Sequence, residues 1–183
     1  MSDARQFAYQ RALGESWAVI PDVTRQLHSP DPVVVFEGRA DISRSRNPLA
    51  GLAADLMGLP RAGMDVPARI TVTRSANGET LKRDYGGRVF ETHQQVRQDG
   101  AQIVLIETIG PFRFHFRLTG HEDGIDFHLL RAHLWGLPLP GWLAPRMRAC
   151  ERADGNAHIF DVASALPLIG EIVSYRGRLV RIA

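Results

Sequence analysis

The sequence predicts a mainly β domain of the α+β kind: a strongly curved antiparallel meander sheet or barrel of about ten strands with two or three short helices. Three observations predict it. Apolar and polar residues alternate almost without a break between Val66 and Trp135, the period-two signature of strands with one buried face. Turn dipeptides (Asn77-Gly78, Gly86-Gly87, Asp99-Gly100, Gly110-Pro111, Asp123-Gly124) recur about every 10 to 14 residues and join these strands as hairpins. The chain has 183 residues, 44% hydrophobic and 23% charged, which suits a single domain with a full core.

Phe7–Leu13 reads as a short helix, with Phe7, Gln10, Leu13 and Trp17 on one face and Gly14 as its stop. Ile20–Leu27 follows as a second, with Pro21 suited to a first helical turn. The β-branched run from Val33 to Ile42 is the first strand. Leu49, Leu52, Ala53, Leu56 and Met57 then fall at helical spacing over Pro48–Leu59, with Asn47 as the N-cap and Gly58-Leu59-Pro60 as the stop. Strands are expected over Val66–Arg74, Glu79–Tyr85, Arg88–Arg97, Gln102–Ile109, Phe112–Thr119 and Gly124–Leu134. Pro138, Pro140 and Pro145 forbid a long helix or a central strand in the next stretch. A further hairpin, Arg146–Ala153 with Ala157–Ala163, turns at Asp154-Gly155-Asn156, and Gly170–Ile182 is the last strand. Ten antiparallel strands in near-sequential order twist and curl to protect their edges, which gives a lipocalin-like or helix-grip-like architecture.

Composition narrows the chemistry. A net charge of +2 gives no sign of phosphate-dominated binding, so no nucleic-acid partner is expected. Lys82 is the only lysine, leaving 21 arginines. With one cysteine, Cys150, no disulfide forms within the chain, and a lone cysteine is usually a small buried apolar group. The Met1–Tyr9 segment has no apolar secretion core, and no apolar run nears the ~18 residues of a span. The expectation is a cytoplasmic protein without stable membrane insertion, its oligomeric state open. No zinc, P-loop, dinucleotide or nucleophile-elbow motif occurs, and the seven histidines lack paired spacing. No metal and no cofactor is expected, and no catalytic residue is assigned.

Two strands carry candidate site residues. Phe112–Leu118 separates cleanly into Phe112, Phe114, Phe116 and Leu118 on one face and Arg113, His115 and Arg117 on the other. In Gly124–Leu134 strict alternation places Arg131 and His133 on the face of Ile125, Phe127 and Leu129. Glu107 lies on the face of Ile103 and Leu105. A buried charge needs a partner, so a Glu107–Arg131 pair is expected, either structural or part of a ligand site. The segment Leu134–Leu143 holds two of the three tryptophans. It reads as a plug across a barrel end, or as a portal or docking loop through Trp135, Leu139 and Trp142, with interfacial membrane anchoring a minor version.

The stretch Gly136-Leu137-Pro138-Leu139-Pro140-Gly141-Trp142-Leu143-Ala144-Pro145-Arg146 resembles the signature of the bacterial domain-of-unknown-function family 4166. So do Leu59-Pro60, Leu13-Gly14 followed by Pro21 and His28, and Pro167-Leu168-Ile169-Gly170 through Tyr175-Arg176-Gly177. Leu81 departs from the pattern, where the resemblance implies a tryptophan. That family has no assigned activity and transfers no catalytic residue. The resemblance implies a domain that occurs alone or fused behind dehydrogenase-like domains, and with it an accessory or small-molecule-linked role.

The leading expectation is a binding module holding a small hydrophobic or amphipathic ligand, with Glu107, Arg131, His133, Arg83 and Tyr175 as its polar contacts. On this reading Arg131 receives a carboxylate or phosphate and Tyr175 orients it. The competing expectation is a small-molecule enzyme using Glu107 or a histidine as general base. A third is an interaction domain serving an oxidoreductase through the Trp/Pro loop.

Overall fold

The computed structural model describes residues 6–76 and 78–183. Its helices are α1 (Ala8–Leu13), α2 (Asp22–Leu27) and α3 (Pro48–Leu56), with a 3-10 turn at Gly14–Ala18. Eleven strands follow or alternate with them: β1 (Val33–Arg44), β2 (Gly63–Ser75), β3 (Gly78–Tyr85), β4 (Arg88–Asp99), β5 (Gln102–Ile109), β6 (Phe112–His121), β7 (Gly124–Leu134), β8 (Leu137–Pro138), β9 (Arg146–Asp154), β10 (Ala157–Leu166) and β11 (Gly170–Arg181). Around the ring the order is β6-β5-β4-β3-β2-β1-β11-β10-β9-β7, and β6 pairs with β7 to close it. The predicted meander is therefore a closed ten-stranded antiparallel barrel, with the two-residue β8 appended to β7.

Local chemistry sets the elements. Gly86 (φ 60°) and Gly87 (φ 87°) form a two-residue β3–β4 turn whose conformation only glycine adopts without cost. The predicted cap on α3 is present: the Leu49 backbone N–H donates to Asn47 Oδ1 at 2.9 Å. On β11, Gly177 is required by packing, because a Cβ there would lie 2.3 Å from Phe160 Cζ and 2.8 Å from the Arg39 carbonyl oxygen.

Because neighbouring strands alternate in direction, the connections fall at two ends. The upper end carries α3, the Gly86-Gly87 and Gly110-Pro111 turns, the 135–145 loop and the 167–169 turn. The lower end carries α1 and α2, which close it with Tyr9, Leu13, Val23 and Leu27, all buried. One apolar cluster lies against β1, β2 and β11 around Phe36, Ile70 and Leu179. The other joins α1 to β5, β6 and β7 around Leu105, Phe116 and Ile125. Eight-stranded barrels are just filled by their own side chains or hold one small ligand. Ten strands leave more interior than the side chains fill.

The wall is incomplete at one seam. The β7–β9 ladder comprises only Gly124–Phe127 against Arg152–Ala149. Above it the strands part, and the loop after β7 folds back into the wedge, its Leu139 N–H donating to the Ala132 carbonyl at 2.8 Å. Pro138, Pro140 and Pro145 lack the donors that would continue a ladder there.

Candidate functional site

Strand alternation turns Leu81, Arg83 and Tyr85 of β3, Phe90, Thr92 and Gln94 of β4, and Glu107 and Ile109 of β5 toward a cavity of ≈190 Å3. Phe112, Phe114 and Phe116 of β6 continue the wall, and Tyr175 of β11 faces them. Above, Ala53 of α3, Met57 at its C-terminal end, and Leu139, Pro145 and Met147 beside the seam complete it. Most of the lining is apolar, with the polar groups gathered in two clusters.

The first cluster is centred on Arg83. Its Nη2 donates to Glu107 Oε1 at 3.1 Å and its Nη1 to Thr92 Oγ1 at 2.7 Å. The guanidinium carbon lies 5.4 Å from the centre of the Phe90 ring. Burial alone would lower the Arg83 pKa, but Glu107 together with Tyr175, Tyr85 and Tyr9 more than offsets it, and the guanidinium stays charged. The Tyr85 and Tyr175 rings lie 5.7 Å apart. Burial raises the Tyr175 phenol to about 12, partly offset by Arg83, and raises Tyr85 further. Both hydroxyls are therefore hydrogen-bond donors at neutral pH, not phenolates.

The second cluster ties the lower plug to the wall. His28 Nε2 lies 2.7 Å from Glu151 Oε2, His158 Nε2 lies 4.0 Å from Glu151 Oε1, and the Tyr9 ring stacks on His28 with centroids 3.5 Å apart. Burial pushes the Glu151 carboxyl up, but His28, His158 and Arg83 together hold it below its usual range. Burial lowers His158 to about 4 against the pull of Glu151, so it is neutral. Tyr9 is raised well above 10 by burial and by Glu151. Burial also raises Glu79, whose Oε1 accepts the Ala8 N–H at 3.0 Å. Glu79 Oε2, Gln94 Oε1 and the Nδ1 atoms of His28 and His158 have no protein hydrogen-bond partner.

Three predicted ligand contacts, Glu107, Arg83 and Tyr175, are brought together here. Arg131 and His133 are not, which corrects their assignment to the inner face. The register between β6 and β7 pairs His115 with Arg131 but Phe116 with Leu129, so Leu130 is a bulge. One extra residue inverts the faces beyond it: Ala132 and Leu134 turn inward, while Arg131 and His133 lie outside. Arg131 pairs with Asp99 and is exposed, and the His133 ring lies 4.9 Å from that of His115. The expected Glu107–Arg131 pair is thus replaced by Glu107–Arg83.

Of the loop residues, Leu139 lines the cavity whereas Trp135 and Trp142 are exposed. Residue patterning had not singled out Tyr9, His28, Glu151 or His158. Alternation of His158, Phe160, Val162 and Ser164 is a usable signal for β10. His28 and Glu151, 123 residues apart, offer none. Cys150 is half-buried and burial raises its thiol, which leaves it a poor nucleophile. Among the described residues no cluster of three or more His, Cys, Asp or Glu is arranged to hold a metal ion.

Fold and site together define a class: an up-and-down β-barrel with a largely apolar internal cavity and a neutralised polar cluster in its wall. The chain belongs to the family described as Domain of unknown function (DUF4166), whose model matches residues 20–179. No curated protein and no solved structure matches it.

Proposed function

We propose that the protein is a binding module for a small amphipathic molecule with an apolar body and a neutral hydrogen-bonding group, such as an alcohol or a ketone. One observation carries this reading: Arg83, in the cavity wall, is already neutralised by Glu107 at 3.1 Å. A guest carboxylate would have to displace that partner and leave Glu107 desolvated and unpaired. The Tyr85 and Tyr175 hydroxyls are donors for a neutral oxygen, and the phenylalanines of β6 give the rest of the guest an apolar bed. Size follows from volume. A dry engineered cavity of about 150 Å3 holds benzene, so ≈190 Å3 suits a compact one- or two-ring molecule.

Calorimetric titration with naphthol and naphthoate tests this. Naphthol should bind at least about tenfold more tightly, since loss of the neutral pairing costs more than 1.4 kcal/mol. Binding of neither compound, together with native mass spectra showing no co-purifying small molecule, would remove the proposal.

A further inference from the structure

The upper elements have two apolar faces. On α3, Ala50 and Ala54 are buried and Ala53 lines the cavity, yet Leu49, Leu52 and Leu56 are exposed, Leu56 at 76%. In the seam loop Leu139 points to the cavity while Trp135 (78%) and Trp142 (68%) face outward. Leu168, on the neighbouring turn, is 97% exposed. Among the described residues most large exposed apolar side chains lie at this one end. Apart from Asp55, which pairs with Arg44 at 2.8 Å, α3 is apolar on its outward side as well as its inward one, and an outward apolar face ordinarily meets an apolar phase. Trp135 is also held in the left-handed region (φ 50°), its N–H donating to the Pro111 carbonyl at 2.9 Å. That conformation is costly for a bulky side chain, and such strain concentrates at functional positions.

We propose that this end docks reversibly on an anionic lipid bilayer. Charge and shape select a bilayer over a protein partner. Arg46, Arg61, Arg113 and Arg146 are exposed at the same end. Of the exposed acids there among the described residues, Asp55 is paired with Arg44 and Asp65 with Arg39, and only Asp41 and Glu171 stand against the four guanidinium groups. Guanidinium groups reach lipid phosphates while their stems and nearby apolar side chains enter the acyl boundary. Tryptophan favours that interface because one edge is polar and the rest is not. The tips come from three separate segments, α3, the seam loop and the 167–169 turn. All three lie at the one end of the barrel, where a planar fluid surface could meet them together. No helix among the described residues is long and apolar enough to cross a membrane, so contact is peripheral. The surface is independent of what the cavity holds, and its failure leaves the binding-module reading untouched.

Flotation with phosphatidylcholine vesicles, with and without phosphatidylglycerol, tests it. The protein should float with the anionic vesicles at least about tenfold more strongly, with a blue shift in tryptophan emission and quenching by brominated lipid. The L52E/L56E/L168E variant should melt like the parent and lose that association by about tenfold or more. A W135F/W142F variant should keep binding and lose most of the emission shift. Failure of the parent to float, or equal flotation of the triple variant, overturns the proposal. So does concentration-dependent dimerisation that the triple variant abolishes in the absence of vesicle binding, which would assign the surface to a second copy of the chain.

Discussion

Arg83 on β3 and Glu107 on β5 are joined at 3.1 Å across the intervening strand β4, whose Thr92 bonds the same guanidinium at 2.7 Å. Three strands thus share one charge pair inside the barrel. Removing one partner of such a pair ordinarily costs about 3 kcal/mol or more, because the other charge stays buried. Glu107→Gln should lower stability on that scale in urea titrations. It should also reverse ligand preference, since Arg83 is then free to receive an anion: naphthoate should bind more tightly than naphthol. An unchanged preference would mean that Arg83 does not face the guest.

The His158–Glu151 pair gives a pH dependence with a definite sign. His158 is depressed to about 4 in the folded state against 6.5 unfolded, so the unfolded chain binds the extra proton first. Its contribution is complete above about pH 6.5 and is lost as pH falls toward 4. Glu151, also lowered, loses its contribution over the acid range in the same direction. Glu79, raised by burial, works the other way and favours folding at low pH. The His158 effect is at most on the order of 3 kcal/mol. Chemical denaturation at pH 7, 6 and 5 should show falling stability, and His158→Asn should flatten the decline between pH 6.5 and 5.

Gly177→Ala should destabilise the barrel by about 2 kcal/mol, the usual scale of overpacking. The new Cβ would meet the Phe160 ring at 2.3 Å and the Arg39 carbonyl oxygen at 2.8 Å. Phe160→Leu in the same chain should recover part of the loss in thermal melts, and only part, because the backbone contact remains.

Leu81 lines the cavity and is nearly fully buried. Its side chain is smaller than the tryptophan that the family resemblance implies at this position. Leu81→Trp should fill space that the parent leaves to a guest. Folding should be retained while naphthol affinity drops by more than about tenfold, the reverse of a large-to-small cavity mutation. Retained affinity would place the guest elsewhere.

The barrel was readable because period-two alternation and turn dipeptides are local signals, and ten such strands have few ways to shield their edges. Alternation also marks Glu107, whereas Arg83 and Tyr175 enter the candidate set as polar contacts with no patterning argument behind them. It failed at Arg131 and His133 because the single inserted residue Leu130 leaves no mark in composition yet exchanges inside for outside. It could not reach Tyr9, His28 or Glu151, whose association depends on how the N-terminal helices seat against β9, a contact set by packing across the whole chain.

On the binding-module proposal the barrel faces opposed demands, tightness while occupied and passage while loading. Here the stave between β7 and β9 is laced by backbone bonds over only Gly124–Phe127 and Ala149–Arg152, with the rest chinked by Leu139 and its prolines. Swinging that flap aside would break the Leu139 bond to Ala132, the two-residue β7–β8 pairing and a few side-chain contacts, while the ladders that close the ring stay intact. Cargo could then change hands without the vessel coming apart.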